Sequence, residues 1–300
     1  MNRLNEQAAS SANDEARPST RKILRPARAR GDWPRTAPEE EGVRRIAVVD
    51  TETTGLAVER HQIIELCAAI VQVNDAARIV AVESVRSGLV DPGRPLSAEI
   101  VELTGLTDQD LAGRSIDEDQ VAEMLASCDG VVAFNAAFDR PHLEKLIGRH
   151  VPVPWGCVMV DVPWRKAGFE PGPQGYVLMQ AGYYMPNAHR AKDDVLALIQ
   201  LLDHVCDDGE TVMAKTLAAM DAPAWRFEAQ GAPYGYKDDL RDQRYRWAWG
   251  RLHDLWHKHV RAEAYQSELD WYVSIIGKEP VIVPLPASER YRFHTTWTPA

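Results

Sequence analysis

The spacing of apolar residues changes along the chain and divides it into segments. Residues 1–43 carry only scattered large apolar side chains among Ala, Arg, Ser, Pro and Glu. A segment of this kind buries too little apolar surface to offset the entropy of ordering the chain. We therefore predict a disordered tail over 1–43. Its arginines could contact nucleic acid or could simply be solvated; they are Arg21, Arg25, Arg28 and Arg30.

From residue 44 onward, short apolar runs alternate with amphipathic segments. The β-branched run IAVVD (46–50) predicts a buried strand, and the runs 63–73 and 78–90 predict two more strands with turn residues between them. The runs GVVAF (130–134) and CVMVDV (157–162) predict strands four and five. Helices are predicted over 97–103, 118–127, from about Arg140 with Pro141 in its first turn, around 175–183 and over 193–206. This order predicts an α/β domain over 44–207, with a mixed five-stranded sheet flanked by helices.

The composition changes again after residue 222. Six of the nine tryptophans lie at or after Trp225, and residues 225–262 carry eight Lys or Arg against five Asp or Glu. We predict a linker or helix over 208–222 and a small aromatic-rich α+β module over 223–300. Interleaved aromatic and basic residues could stack on bases and contact phosphates, or they could form an aromatic core with a cationic rim.

Charge and cysteine spacing restrict the class of protein. The net charge of −10 disfavours a coat protein that binds DNA through basic side chains, but it is compatible with an enzyme whose metal ions meet the phosphate. The four cysteines are far apart, which predicts free thiols in a reducing, bacterial-type cytoplasm and disfavours a zinc site. No apolar run is long enough to predict a membrane span.

The segment DTETTGL (50–56) offers the first candidate chemistry. Asp50 and Glu52 follow a predicted strand and lie two residues apart, so both carboxylates project from one face. Adjacent carboxylates repel each other, and a hard divalent cation turns that repulsion into attraction. The alternative is a pair of acids that face solvent at the end of the strand.

Two later segments supply more polar groups. FNAAFD (134–139) places Asp139 near the start of a helix, where an aspartate could also serve as an N-cap. HRAKDD (189–194) places His189 in the loop before a helix and Asp194 in its first turn, and a histidine beside such a carboxylate can accept a proton from water. Asp193 competes with Asp194 as the candidate ligand.

The three segments together follow the order D-x-E, N-x-x-F-D and H-x-x-x-x-D. In this order they resemble the DEDDh family of 3′–5′ exonucleases, which includes the proofreading epsilon subunits of bacterial DNA polymerase III. The resemblance extends over roughly residues 44–207 and includes LVDPGRPLSAEIVELTGLT (89–107). It implies a ribonuclease H-like fold and two divalent metal ions, Mg²⁺ or Mn²⁺.

The resemblance also implies a role for each matched position. Asp50, Glu52 and Asp194 would hold the metal that carries the attacking water, and Asp50 with Asp139 would place the second metal. His189 would be the general base. Four residues would contact the terminal nucleotide, namely Thr53, Leu56 as a wedge against the base, Asn135 and Phe138.

We therefore expect a magnesium-dependent 3′–5′ exonuclease that releases nucleoside monophosphates from DNA in repair or proofreading. The alternatives are an exoribonuclease or oligoribonuclease with the same site, and a non-catalytic scaffold that binds nucleic acid or a polymerase. The expected partner is nucleic acid with a 3′ end, in particular single-stranded DNA, with a DNA polymerase or a sliding clamp as further candidates. QSELDW (266–271) resembles a clamp-binding motif, and a helix with Leu269 buried is the alternative interpretation.

Overall fold

A computed structural model describes residues 23–36, 43–248 and 255–292 of the chain. The strands are β1 (Arg25–Pro26), β2 (Val43–Thr53), β3 (Ile63–Asn74), β4 (Ile79–Leu89), β5 (Gly130–Ala133), β6 (Trp155–Cys157), β7 (Tyr183–Tyr184), β8 (Ala224–Glu228), β9 (Arg246–Ala248), β10 (Leu255–Arg261) and β11 (Val281–Pro284). The α-helices are α1 (Ala98–Thr104), α2 (Asp108–Leu111), α3 (Glu118–Ala126), α4 (Ala136–Leu146), α5 (Val158–Asp161), α6 (Gln174–Gln180), α7 (Ala191–Leu202), α8 (Val212–Asp221), α9 (Lys237–Asp242) and α10 (Tyr265–Ile276).

The central sheet has five strands in the order β4-β3-β2-β5-β6. The first three strands pair antiparallel, and β5 and β6 add on in parallel to β2. Alternate residues of β2 enter two different cores, because successive side chains of a strand point to opposite faces. Ile46 and Val48 pack in the core that contains α7, and Ala47 and Val49 pack in the core that contains α4. The predicted fold class, a mixed five-stranded sheet flanked by helices, is confirmed.

Two predicted elements were placed wrongly. The run 157–162 is not a strand: β6 ends at Cys157, and α5 follows at once. A short buried apolar run fits either element, and here the carboxylate of Asp161 accepts a hydrogen bond from Cys157 N at 2.8 Å and closes a helical turn. Helix α4 starts at Ala136 and not near Arg140, so Pro141 is its sixth residue. Asp139 is therefore inside the helix and is not its N-cap.

The predicted disordered tail is wrong for residues 23–36. Strand β1 pairs in parallel with β7, and the backbone N–H of Val82 donates to Pro34 O at 2.8 Å. Trp33 is only 5% exposed because it packs in the core beside α7. The buried Trp33 side chain and these backbone hydrogen bonds together attach the segment to the central domain. The rest of the predicted tail, 1–22 and 37–42, lies outside the described residues, and so does Arg21.

The C-terminal part of the chain forms a second sheet, in the order β11-β8-β10-β9 with antiparallel pairs. Helix α10 packs on it, and the shared core contains Phe227, Tyr245, Val260 and Tyr272. The predicted small α+β module is therefore present, with an aromatic core. The segment 266–271 lies within α10, as the alternative to a clamp-binding motif required, and Leu269 packs partly buried against the core.

Hydrogen bonds join this module to the central domain. The guanidinium of Arg140 is fully buried and donates to the backbone oxygens of Ser288 and Arg290, both at 2.6 Å. The side chains of Arg261 and Tyr291 both bond Asp161. The boundaries proposed for the two units, near 207 and 223, remain a prediction.

Within the described residues, no helix is both long enough and apolar enough to cross a membrane. All four cysteines are free and buried, as their spacing predicted.

Candidate active site

Three carboxylates meet at the end of β2. Asp50 and Glu52 project from one face of this strand because they are two residues apart, and Asp194 reaches them from the first turn of α7. One oxygen from each group can be chosen so that all three lie within 4.8 Å of one another. The structure thus brings together side chains that are about 140 residues apart in sequence.

Asp194 and its neighbour Asp193 have different hydrogen-bond partners. The Oδ2 atom of Asp194 accepts a hydrogen bond from Arg190 N at 3.0 Å, which fixes this carboxylate at the start of the helix. The Oδ2 atom of Asp193 instead accepts a bond from the Asn187 amide at 3.0 Å. Asp193 is also absent from the group of converging carboxylates. Of the two candidates, Asp194 is therefore the one whose carboxylate converges with Asp50 and Glu52.

Asp139 approaches from the opposite core. It is 3% exposed, and its Oδ1 atom accepts bonds from Thr51 N at 3.1 Å and from Thr51 Oγ1 at 2.8 Å. Thr51 lies between Asp50 and Glu52, so these bonds hold α4 against the part of β2 that carries both acids. Asp139 is near enough to raise the pKa of Asp50 by repulsion.

Burial and repulsion between neighbouring carboxylates destabilise the ionised form of these acids. Burial, and then repulsion from Asp139, Asp194 and Glu52, raises the pKa of Asp50 well above its usual value. Burial, followed by the charges of Asp194, Glu65 and Asp139, raises the pKa of Glu52 to about 8. Burial raises the pKa of Asp139 to about 7, although the Thr51 bonds oppose the rise. The charge of Arg190 lowers the pKa of Glu52 but does not offset these effects.

Glu65 is a fifth acid at this site that the sequence analysis missed. It lies opposite Glu52 on the neighbouring strand β3 and is 3% exposed. Its carboxylate accepts bonds from Arg190 Nε at 3.0 Å, from Arg190 Nη2 at 3.2 Å and from Ala191 N at 3.2 Å. A glutamate inside the apolar run IIELCAA was the available signal, because a buried charge requires a partner.

The Glu65–Arg190 pair positions the loop that carries His189. His189 is exposed and has a left-handed backbone with φ 63°, an uncommon conformation for a residue other than glycine. The residue that follows it is bound to β3 through Glu65 and to Asp194 through its backbone N–H. Burial raises the pKa of Asp194 to about 6, and the Arg190 N–H bond and the charge of His189 oppose that rise. His189 is therefore close enough to Asp194 for its charge to act on that carboxylate.

The last residue of β2 and the loop after it hold two of the residues predicted to contact substrate. Thr53 Oγ1 donates to Gly55 O at 2.7 Å, so its hydroxyl shapes the turn. At Gly55 a Cβ atom would lie 2.5 Å from the His61 ring, which excludes any larger residue unless that ring moves. Leu56 follows at 79% exposure, an unusual position for a large apolar side chain with no core around it.

The other two predicted substrate residues lie at the start of α4. The Oδ1 atom of Asn135 is buried without a hydrogen-bond partner in the described part of the chain. The ring of Phe138 is partly exposed and packs on His142 with ring centroids 4.5 Å apart. Both residues thus lie close to Asp139 in the chain, and Phe138 presents part of its ring to solvent.

The chemistry of these donors fits hard divalent cations. Carboxylate oxygens are the ligands that Mg²⁺ and Mn²⁺ prefer, and raised pKa values show an acid cluster that a cation would stabilise. Asp50, Glu52 and Asp194 could hold one ion directly. Asp139, adjacent to Asp50, could contribute to a second.

The sequence matches a model of the exonuclease family, RNase_T, over residues 47–202. It is 35% identical over 140 residues to the PolC-type DNA polymerase III of Lacticaseibacillus paracasei, which covers 46% of this chain and 9% of that protein. It is 43% identical over 99 residues to the same type of polymerase from Halalkalibacterium halodurans, covering 32% of this chain and 6% of the polymerase. The chain thus spans less than a tenth of the length of these curated relatives.

Solved structures of nucleases are similar at lower identity. Exonuclease X in complex with 5′ overhanging duplex DNA aligns with a TM-score of 0.43 and 22% identity, over 58% of this chain and 99% of that one. An E. coli ExoI–ssDNA complex aligns with a TM-score of 0.46 and 15% identity, over 82% of this chain and 66% of the other.

Proposed function

Because the chain belongs to the exonuclease family whose model matches residues 47–202, we propose that it is a DEDDh-type 3′–5′ exonuclease acting on DNA. The observation that carries the proposal is the convergence of Asp50, Glu52 and Asp194 from two distant segments. Asp139 supports it, because its bonds to Thr51 hold it beside the same strand end. A non-catalytic scaffold would have no need of this buried repulsion.

The acids would hold two divalent cations, Mg²⁺ or Mn²⁺. Asp50, Glu52 and Asp194 would bind the first, and Asp50 with Asp139 the second. When bound, such cations supply positive charge to the phosphate and to the attacking and leaving oxygens. The pKa values of these acids are raised when no cation is bound. A bound cation would favour their ionised form, so the acids could hold metal at neutral pH.

His189 would act as the general base. Its imidazole would accept a proton from the water whose oxygen attacks the terminal phosphorus atom. The bond between phosphorus and the 3′ oxygen of the penultimate nucleotide breaks, and that oxygen takes up a proton from solvent. The products are a nucleoside 5′-monophosphate and a strand shortened by one nucleotide. The Glu65–Arg190 pair supports this role, because it fixes the residue next to His189.

One observation favours DNA as the substrate and another favours an unpaired end, and the choice of the 3′ end follows from the resemblance to the DEDDh family. The relatives that match this domain are DNA polymerases, which also makes a polymerase the first partner to test. The exposed Leu56 side chain beside the acid cluster could pack on the base of a terminal nucleotide that is not paired. We therefore propose single-stranded or frayed 3′ ends as the preferred substrate.

A degradation assay with 5′-labelled DNA and RNA oligonucleotides tests the proposal. We expect a ladder that shortens from the 3′ end of the DNA in Mg²⁺ and stops when EDTA is added. Preferred degradation of the RNA would replace DNA by RNA as substrate, and no degradation of either would favour the scaffold.

Neighbouring aspartates provide a matched pair of variants for this assay. Asp194→Asn removes a carboxylate of the cluster, so we expect turnover to fall by about 10³-fold or more. Asp193→Asn makes the same chemical change at a residue bonded to Asn187, so turnover should stay close to wild type. If both variants lost activity equally, or neither did, the assignment of Asp194 as a metal ligand would be wrong.

A further inference from the structure

The loop of residues 54–62 connects β2 to β3 and carries the exposed Leu56, so we call it the Leu56 loop. Its backbone is closed by a hydrogen bond from His61 N to Ala57 O at 2.8 Å. The Nδ1 atom of His61 also lies 3.3 Å from Thr54 Oγ1, near the start of the loop. These internal contacts give the loop a defined shape, but they do not fix its position relative to the rest of the domain.

Lys145 joins the loop to α4. It is an exposed residue in the last turn of this helix, and its Nζ atom donates to Val58 O at 2.6 Å and to His61 O at 2.9 Å. An exposed lysine usually extends into water, because fixing its long side chain costs conformational entropy. The side chain of Lys145 instead bonds two carbonyl groups of the loop, which fixes the loop against the helix.

Arg94 joins the same loop to the segment between β4 and α1. Its Nη2 atom donates to Thr54 Oγ1 and to Arg60 O, both at 2.8 Å. The segment is itself held in place, because Leu96 N donates to Asp108 Oδ1 at the start of α2 at 2.8 Å. The loop is therefore bonded by two cations that come from different parts of the central domain.

Helix α4 relates the position of the loop to that of the acid cluster. Asp139, in the first turn of the helix, bonds Thr51 in the strand that carries two of the clustered acids. Lys145 follows six residues later, about 9 Å along the helix axis, and bonds the loop. One rigid element thus contacts both the strand of the acids and the loop that carries Leu56.

From these contacts we propose that Arg94 and Lys145 are positioning residues for Leu56. By holding the Leu56 loop, they keep the Leu56 side chain where it packs on the base of an unpaired 3′-terminal nucleotide. They thereby determine how tightly the protein binds that base, although neither of them contacts it. This role rests on the proposed function, because it concerns the nucleotide that the acids would cleave.

A general attraction of cations for DNA is the alternative role for these two side chains, since both are exposed. Such attraction acts on phosphates and does not depend on the terminal base. Packing of Leu56 does depend on that base. An oligonucleotide whose 3′-terminal nucleotide is abasic keeps its phosphates and therefore distinguishes the two roles.

The first cleavage of a normal and of an abasic single-stranded oligonucleotide tests the positioning role. We expect Lys145→Met to lower kcat/KM for the normal oligonucleotide about fivefold, through KM more than through kcat, because packing on the base is present before and during the reaction. On the abasic oligonucleotide the variant should match the wild type. Arg94→Met should show the same difference. Equal losses on both oligonucleotides would overturn the positioning role in favour of general attraction.

A double-mutant cycle shows whether the effect is transmitted through Leu56. If Lys145 acts by placing Leu56, Leu56→Ala/Lys145→Met should cleave the normal oligonucleotide at the rate of Leu56→Ala alone. Losses that multiply would contradict positioning. Lys145→Arg can still donate to two carbonyl oxygens and should restore most of the activity.

Arg149→Met is the matched control, because Arg149 is an exposed cation four residues after Lys145 that pairs with Asp119. We expect this substitution to change kcat/KM by less than about twofold, the effect of one distant charge. A loss as large as that of Lys145→Met would again indicate general attraction.

Hydrogen exchange of the full chain in EDTA supplies a readout that needs no cleavage. The N–H groups of Arg60 and His61 both bond Ala57 O, and they should exchange about threefold to tenfold faster in Arg94→Met/Lys145→Met, because a loop that is held less firmly opens more often. Exchange in β3 should stay unchanged, which excludes global unfolding as the cause.

Unchanged exchange in the Leu56 loop would refute the positioning role, whether or not the protein is a nuclease. A wild-type chain that cuts no oligonucleotide would refute the proposed function. Faster exchange in the double variant would, even then, show that the two cations hold the loop.

Discussion

Individual carboxylates at the end of β2 make stability dependent on pH. The folded chain retains protons that the unfolded chain releases near pH 4, because the pKa values of Asp194, Asp139 and Glu52 are raised to about 6, 7 and 8. The contribution of these groups to the free energy of unfolding is greatest below about pH 4. It is lost as the pH rises through 6 to 8.

We therefore expect the metal-free protein to lose roughly 4 kcal/mol or more of unfolding free energy between pH 5 and pH 8. Urea unfolding in EDTA at several pH values measures the loss, and Mg²⁺ or Mn²⁺ should reverse it most strongly at pH 8. Asp50→Asn removes one repelling charge and should flatten the profile. A metal-free protein that gained stability over this range would show that other groups dominate.

The proposed role of His189 as general base also depends on a single side chain. We expect His189→Ala to reduce kcat by about 10²-fold or more, the usual contribution of a general base. The folded state should be nearly unaffected, since the side chain is exposed. A pH–rate profile checks the role: the limb due to the base should vanish, and an unchanged profile would remove His189 from it.

At the scale of elements, the link between β3 and α7 decides where the His189 loop lies. Glu65 bonds both the side chain of Arg190 and the first backbone N–H of the helix. Glu65→Gln keeps the shape but removes the charge, so we expect kcat to fall roughly tenfold with little change in KM, as for residues that orient a metal site. Arg190→Met should have a similar effect.

The double variant distinguishes positioning from separate roles. If the two residues act as one unit, Glu65→Gln/Arg190→Met should be no slower than either single variant. Multiplying losses would contradict the pairing. Unfolding measurements on the same proteins show whether the loss of kcat follows a loss of stability.

The strands and helices differ in how well the sequence predicted them. The long strands β2, β3 and β4 follow from their apolar runs, because a sheet with both faces covered requires nearly continuous apolar sequence. The same rule failed at 157–162, where a short apolar run forms a helical turn whose last residue, Asp161, accepts a hydrogen bond from Cys157 N. It also failed at α4, because Pro141 suggested a first turn although the helix begins five residues earlier.

The sequence alone predicted only part of the candidate site. Strand alternation predicted that Asp50 and Glu52 share a face, and only the resemblance to a family connected them to Asp139 and Asp194. Glu65 remained hidden because its partner Arg190 is 125 residues away, and no local pattern reports such a distance. Trp33 was missed likewise, since its burial depends on a remote surface.

At the scale of the whole molecule, a buried polar group holds the two sheets together. Asp161 bonds both Arg261 and Tyr291 from the C-terminal part, and its side chain is fully buried. Removing one partner of a buried pair leaves an uncompensated charge, so we expect Asp161→Ala to lower the unfolding free energy by about 3 kcal/mol or more.

Urea unfolding measures this loss, and Glu170→Ala is a suitable control because it breaks an exposed pair with Arg165. The control should change stability by less than about 1 kcal/mol. Equal effects of the two substitutions would show that Asp161 does not hold the sheets together.

Two adjacent residues of α4 bond to different parts of the chain. Asp139 is bonded to the strand that carries the acids, and the guanidinium of Arg140 is enclosed by Trp155 and by backbone oxygens of residues 288 and 290. A recombinant fragment trimmed to residues 44–207 would remove those oxygens and expose to water the Arg140 guanidinium and the Trp155 ring beside it. Attempts to isolate a minimal nuclease by truncation should therefore yield poorly soluble protein, and any swap of the C-terminal module has to reproduce these two acceptors.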